Sequence, residues 1–155
     1  MFIDELPATA FRFDVRLTVE DDANLRAPLC EAAFAECDGL ELNLEPRTVR
    51  EGGNNTSTPH LVGPVSYGTL SLKRGMTSNR DLWSWFAAAS SGSTRGVTAE
   101  CVVIQRDSRG LPFARYRLRG CLPVKLKAPA LSAAGGAVAV EEFQLVYASL
   151  VLEDA

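Results

Sequence analysis

The sequence predicts a mainly β protein, an antiparallel β-sandwich or barrel capped by one α-helix, in a single domain over residues 1–155. Three observations carry that expectation. Apolar residues recur at every second position in several separate stretches, the period of a half-buried strand. Clusters of glycine, proline, asparagine and aspartate divide those stretches at hairpin-like intervals. One segment alone, SNRDLWSWFAAAS, has convincing helical periodicity.

Taken in order, FRFDVRLTVE sets Phe11, Phe13, Val15, Leu17 and Val19 against Arg12, Asp14, Arg16, Thr18 and Glu20, an antiparallel strand with one buried face. DDANLRAPLCEAAFAECDG is polar and mixed, and reads as a connection holding at most a helical turn. LELNLE alternates through Leu40, Leu42 and Leu44, and Pro46 ends or bends it. VSYGTLSLKR is a strand whose apolar phase shifts across Gly68, the mark of a bulge.

In the helix, Ser78 is placed to cap and Asp81 to favour the positive N-terminal end. Leu82, Trp85, Phe86 and Ala89 form the inward stripe. Trp83, two positions from Trp85, faces elsewhere. VTAECVVIQR reads as a strand buried on both faces at its centre, DSRGLP as a turn, and FARYRLRG as the returning hairpin strand. LPVKLK is a further strand and APALSAAGGA a loop. AVAVEEFQLVYASLVLE is a long final strand with a break in phase at Glu141 and Glu142. That makes about seven strands and one helix, without internal repeat.

The apolar fraction of 46% and charged fraction of 23% belong to an ordinary globular chain. A net charge of −3 argues against a general nucleic-acid binder. No run approaches the roughly 18 apolar residues of a membrane span. MFIDELPATA carries acids where a secretory signal needs basic and then apolar residues, so synthesis and folding in the cytoplasm are expected. Cys30, Cys37, Cys101 and Cys121 lack the C-x₂-C spacing of a zinc or redox site, and reduced thiols are expected.

Catalytic readings find little support. Gly63 and Gly68 are spaced as in a phosphate-binding loop, but Thr69 and Leu70 stand where Lys and Ser or Thr are required, and a strand follows instead of a helix. His60, the single histidine, supplies no metal set, and reads as a loop residue serving packing or hydrogen bonding. Glu141-Glu142 and Asp21-Asp22 are adjacent pairs that point to opposite faces of a strand. No enzyme activity, cofactor or metal is expected. Arg115, Arg117 and Arg119 project from one face of FARYRLRG, with Ala114, Tyr116 and Leu118 on the other. Such a stripe is either a solvated face or a charged surface turned toward another subunit, a lumen or a polyanion.

A series of motifs in fixed order says more. It runs from Phe34-x-x-Cys37-Asp38-Gly39-Leu40 through Arg50-Glu51-Gly52-Gly53-Asn54-Asn55 to Leu61-Val62-Gly63. It continues with Tyr67-Gly68-Thr69-Leu70-Ser71-Leu72-Lys73-Arg74-Gly75-Met76-Thr77 and Asp81-Leu82-Trp83-Ser84-Trp85. Pro123-Val124-Lys125-Leu126 and Val138-Ala139-Val140-Glu141 close it. The series resembles the tail tube protein family of contractile phage tails and contractile injection systems, whose fold is Hcp-like.

The resemblance implies a structural inner tube subunit. Hexameric rings would stack head-to-tail into a rigid hollow tube, which a contracting sheath drives through a target envelope. It implies further copies of the chain, a sheath protein and baseplate or spike proteins as partners, with cargo or DNA in the lumen and no membrane anchor. The Gly- and Asn-rich loop is then an assembly element whose interface includes Asn54 and Asn55: Gly52, Gly53 and Gly75 allow close approach, and Arg50, Glu51, Lys73 and Arg74 fix register by charge. Two other roles stay open, a tube-initiating ring above the spike and a monomeric β-sandwich binding a ligand through its arginine strand. An enzyme built on His60 and a cysteine ranks behind both.

Overall fold

The computed structural model of the chain describes residues 12–19, 30–49, 52–53, 57, 59–75, 80–92, 98–130, 133, 135 and 139–154. In chain order these hold β1 (Arg12–Val19), β2 (Cys30–Ala33), β3 (Glu36–Asp38), β4 (Leu42–Leu44), β5 (Arg47–Thr48), β6 (His60–Leu61) and β7 (Val65–Tyr67). They continue with β8 (Thr69–Gly75), α1 (Asp81–Ser90), β9 (Ala99–Arg106), β10 (Pro112–Lys127), β11 (Val140–Val146) and β12 (Ser149–Glu153). The fold is mainly β, antiparallel throughout its pairings, with one helix among the described residues.

Strand β10 organises the architecture. Its first half pairs with β9 on one side and β12 on the other, and past Gly120 its second half pairs with β11. The strand order is β2-β1-β9-β10-β11-β8-β3, with β12 beside β10. One long strand thus serves two leaves, the first built on β1, β9 and β12, the second on β11, β8 and β3.

Period-two alternation builds the core between the leaves. Val15 and Leu17 of β1, Cys101 and Val103 of β9, and Leu118 of β10 come from the first leaf. Leu70 and Leu72 of β8 and Phe143 and Leu145 of β11 come from the second. Helix α1 buries Leu82 and Trp85 in the same cluster, and the Trp85 ring lies 5.8 Å from that of Phe143 at 48°. Each such side chain, fully buried, contributes about 1.5–3 kcal/mol. Trp83 faces away from Trp85, as their spacing requires, and is 40% exposed.

Several elements differ from the sequence reading. The supposed polar connection holds β2 and β3, short strands paired antiparallel to β1 and β8. They are strands because a neighbour offers a ladder of hydrogen bonds, although neither carries an apolar alternation. FARYRLRG and LPVKLK form one continuous strand, in which Gly120, at φ 65°, carries the chain from one leaf to the other.

The last segment breaks at Tyr147 and Ala148 rather than at Glu141 and Glu142. There the Ala148 N–H donates to the Arg119 carbonyl at 2.9 Å. Strand β9 buries one face only, with Val102 and Ile104 half-buried on the other. The phase shift at Gly68 separates two strands instead of bulging one. Arg80 occupies the helix N-cap, without a side-chain cap, and Ser78 lies outside the described residues.

Candidate assembly surfaces

Between β3 and β8 the chain leaves the core as an arm. Strands β4 and β7 pair through Leu42↔Tyr67, Asn43↔Ser66 and Leu44↔Val65. Past Pro46, β5 and β6 pair through Arg47↔Leu61 and Thr48↔His60. The Val49 N–H reaches the Pro59 carbonyl at 3.2 Å, and Gly52 and Gly53 form a turn farther along. Gly63 lets the two sides of the arm close on each other, since a Cβ there would lie 1.7 Å from the Glu45 carbonyl oxygen.

Tyr147 holds the root of this arm. Its hydroxyl donates to the Gly39 carbonyl at 2.7 Å and accepts from the Glu41 N–H at 3.1 Å. Its ring packs 5.4 Å from that of Tyr67. The Gly68 N–H closes the same junction on the Glu41 carbonyl at 3.3 Å. Farther out the arm has an unusual surface: Leu42, Leu44, Val49, Leu61, Val62 and Val65 are all exposed, Val62 at 84%. Two-stranded ribbons are marginal by themselves, and their apolar side chains normally find cover.

The residues that the sequence assigned to assembly divide into three groups. Gly52 and Gly53 sit exposed in the arm's turn, Gly53 at φ 96°. Arg50, Glu51, Asn54 and Asn55 lie outside the described residues. Lys73, Arg74 and Gly75 end β8, away from the arm. Lys73 pairs with Glu36 at 3.4 Å on the surface, where such a pair is worth little. Gly75 is exposed, with open space where a side chain would go.

Arg74 is buried inside its own subunit and is not a surface charge. Its Nε lies 2.9 Å from Glu141 Oε2, with both side chains 4% exposed, and its guanidinium stands over the Phe34 ring at 5.5 Å. The other Glu141 oxygen accepts from Trp83 Nε1 at 2.6 Å, which ties α1 to β11. Sequence reasoning passed over Glu141 and Tyr147. A signal existed for the first: Leu70, Leu72 and Arg74 share one strand phase, as do Glu141, Phe143 and Leu145. A charge in each apolar phase is the trace of a buried pair.

Arg115, Arg117 and Arg119 do share the outer face of the first leaf. Arg117 donates from Nε to Glu153 at 2.6 Å and from Nη1 to Glu100. The Glu153 carboxyl is held below its ordinary range, first by that hydrogen bond and then by the charges of Arg117, Arg115 and Arg119. Lys125, in the second half of β10, reaches Glu142 at 3.6 Å.

His60 is exposed on β6 rather than packed in a loop. Glu141 and Glu142 do point to opposite faces, one buried and one half-buried. Among the described residues no cluster of His, Cys, Asp and Glu is arranged to hold a metal ion, and no helix is long and apolar enough to cross a membrane.

The described residues thus form a two-leaf antiparallel fold with one helix and a projecting arm of exposed apolar side chains. The sequence profile of the T4-like virus tail tube protein gp19 matches residues 9–151, and the chain belongs to that family. No curated protein sequence matches it. Among solved structures, it is similar to a chain of the anti-feeding prophage (AFP) baseplate, with 27% identity, 97% of each chain covered and a TM-score of 0.79. A chain of the PVC sheath-tube complex, an extracellular contractile injection system in its extended state, has the same fold at 18% identity, with 99% and 96% covered and a TM-score of 0.76. The Hcp1 protein of the E. coli EAEC 042 pathovar is a more distant likeness, with 9% identity, 93% and 91% covered and a TM-score of 0.55.

Proposed function

We propose that this chain is the inner tube subunit of a contractile tail or injection particle, forming hexameric rings that stack head-to-tail into a hollow tube. The observation that carries this reading is the arm, whose six exposed apolar side chains are left uncovered by the described residues and call for a partner. Further copies of the chain supply that cover. Open strand edges add a second contact: β12 pairs only with β10, and β3 only with β8, among the described residues. Edge pairing between neighbours closes a ring and removes those edges. An arm that docks on a different surface of the next ring makes a heterologous contact, which propagates.

In this reading the role is mechanical rather than catalytic. Sheath and baseplate or spike proteins are the partners outside the ring, and cargo or DNA would occupy the lumen. Assembly takes place in the cytoplasm, and the product is part of a virion-like particle. Arg50, Glu51, Gly52, Gly53, Asn54 and Asn55, with the arm's apolar residues, form the docking element. Lys73 and Gly75, at the far end of β8, would belong to a separate contact, and Arg74 supports the subunit from within.

Electron microscopy of the purified protein, with its solution mass, tests the reading. Stacked six-membered rings are expected, with continuous tubes marking the main subunit. Isolated rings would assign the chain to tube initiation. A monomer that stays monomeric even with its baseplate partner would overturn the reading and favour a ligand-binding module. Gly52 offers a second readout, because a Cβ there meets nothing within 4 Å in the subunit and, unlike Gly53, it has no positive φ. Gly52→Val should leave the monomer soluble and block tube growth; normal tubes would remove the arm's turn from the interface.

A further inference from the structure

The outer face of the first leaf carries a groove of about 490 Å³, whose lining includes Arg16, Glu100, Val102, Ile104, Arg115 and Arg117. Its composition follows from register. Val102 lies between Arg16 of β1 and Arg117 of β10, and Ile104 between Asp14 and Arg115. Methyl groups therefore form a floor between columns of charged side chains, Asp14 and Arg16 on one side and Arg115 and Arg117 on the other.

The carboxylates of this face are distributed unevenly. Asp14 binds Arg106 at 2.7 Å, and Glu100 is engaged by Arg117. Glu153 stands opposite Arg115 in the β10–β12 register, yet it gives both oxygens to Arg117, at 2.6 and 3.3 Å. Arg115 has Ile104 as its partner on the other side. Its Nε is covered and has no acceptor in the subunit, while the half-buried side chain lines the groove. A buried guanidinium N–H left unmade is costly, and the geometry of the fork suits one incoming carboxylate or phosphate.

We infer that this groove is an oxyanion-binding site centred on Arg115, and that its occupant is an acidic segment of another protein, with a carboxylate on the guanidinium and apolar side chains on Val102 and Ile104. Two features favour a peptide over a nucleic acid. Arg106 and Arg117 are already committed to Asp14, Glu100 and Glu153, which leaves room for one carboxylate but not for a phosphate backbone, whose binding needs many uncommitted cations. The floor between the arginines is aliphatic, which suits the alternating side chains of a peptide.

The test is binding of the full chain to a short fluorescein-labelled peptide of alternating Glu and Val, beside a single-stranded oligothymidylate of equal charge. The peptide should bind, weaken as salt rises, and compete with an unlabelled copy. Arg115→Gln should weaken it about tenfold or more, the scale of a lost charge-assisted bond. Arg115→Lys, which keeps the charge without the fork, should weaken it too. Arg80→Gln, at the exposed helix N-cap, should bind as the parent does. Unchanged peptide binding by a folded Arg115→Lys would overturn the proposal. So would absence of peptide binding, or preference for the oligothymidylate.

Discussion

Arg74 and Glu141 sit directly opposite each other on β8 and β11 and close a buried ion pair at 2.9 Å, with Trp83 of α1 bonded to the second carboxylate oxygen. Two leaf strands and the helix therefore meet at one carboxylate. Its burial makes it sensitive to loss of either partner, because the survivor is a charge out of water.

Glu141→Ala should accordingly destabilise the fold by about 3–5 kcal/mol, and Arg74→Ala by a similar amount. The joint replacement Arg74→Met with Glu141→Leu should cost far less than the sum, since no buried charge remains. Denaturant unfolding of the single and double variants measures this. Additive losses would mean that the two side chains stabilise the fold independently.

Tyr147→Phe should cost about 1 kcal/mol, the net value of an ordinary hydrogen bond. The hydroxyl it removes serves the Gly39 carbonyl and the Glu41 N–H at the root of the arm. Faster amide exchange at Glu41, with little change in the core strands, is the expected pattern. Uniformly faster exchange would show that Tyr147 acts on the whole fold and not on the arm.

Burial, helped by the charge of Asp38, pushes the Cys37 thiol up to about 11 from the ordinary 9.0. At pH 8 the folded chain then holds about a hundredfold less thiolate at Cys37 than an unperturbed thiol does, and alkylation there should slow in proportion. The linkage runs with the same sign. Stability is full below the unfolded pKa and falls as pH rises from about 9 through about 11, because the unfolded thiol releases its proton first. Cys37→Ala should remove that part of the alkaline slope. Peptide mapping of alkylation in the folded chain, with melts across this pH range, checks both effects.

The class of fold was legible in the amino-acid sequence because a half-buried strand and an amphipathic helix each write a period into the chain. Alternation in FRFDVRLTVE located β1, and the stripe of Leu82 and Trp85 located the inner face of α1. The ordered motifs from Phe34 to Glu141 carried the family. Local pattern could not reveal β2, β3, β5 or β6, which have two to four residues each and exist through their partners' hydrogen bonds. The shared phase of Arg74 with Leu70 and Leu72 pointed inward, but it named no partner, and the alternation of Arg115 with Ala114 and Tyr116 could not tell a solvated face from a groove. Register across strands decided that: Arg74 meets Glu141 between the leaves, whereas Arg115 meets Ile104 and a Glu153 already given to Arg117. Periodicity is a property of one segment and can be read from it. Which charge is neutralised, and which is left to bind, depends on segments far apart in the chain, and only their packing brings them together.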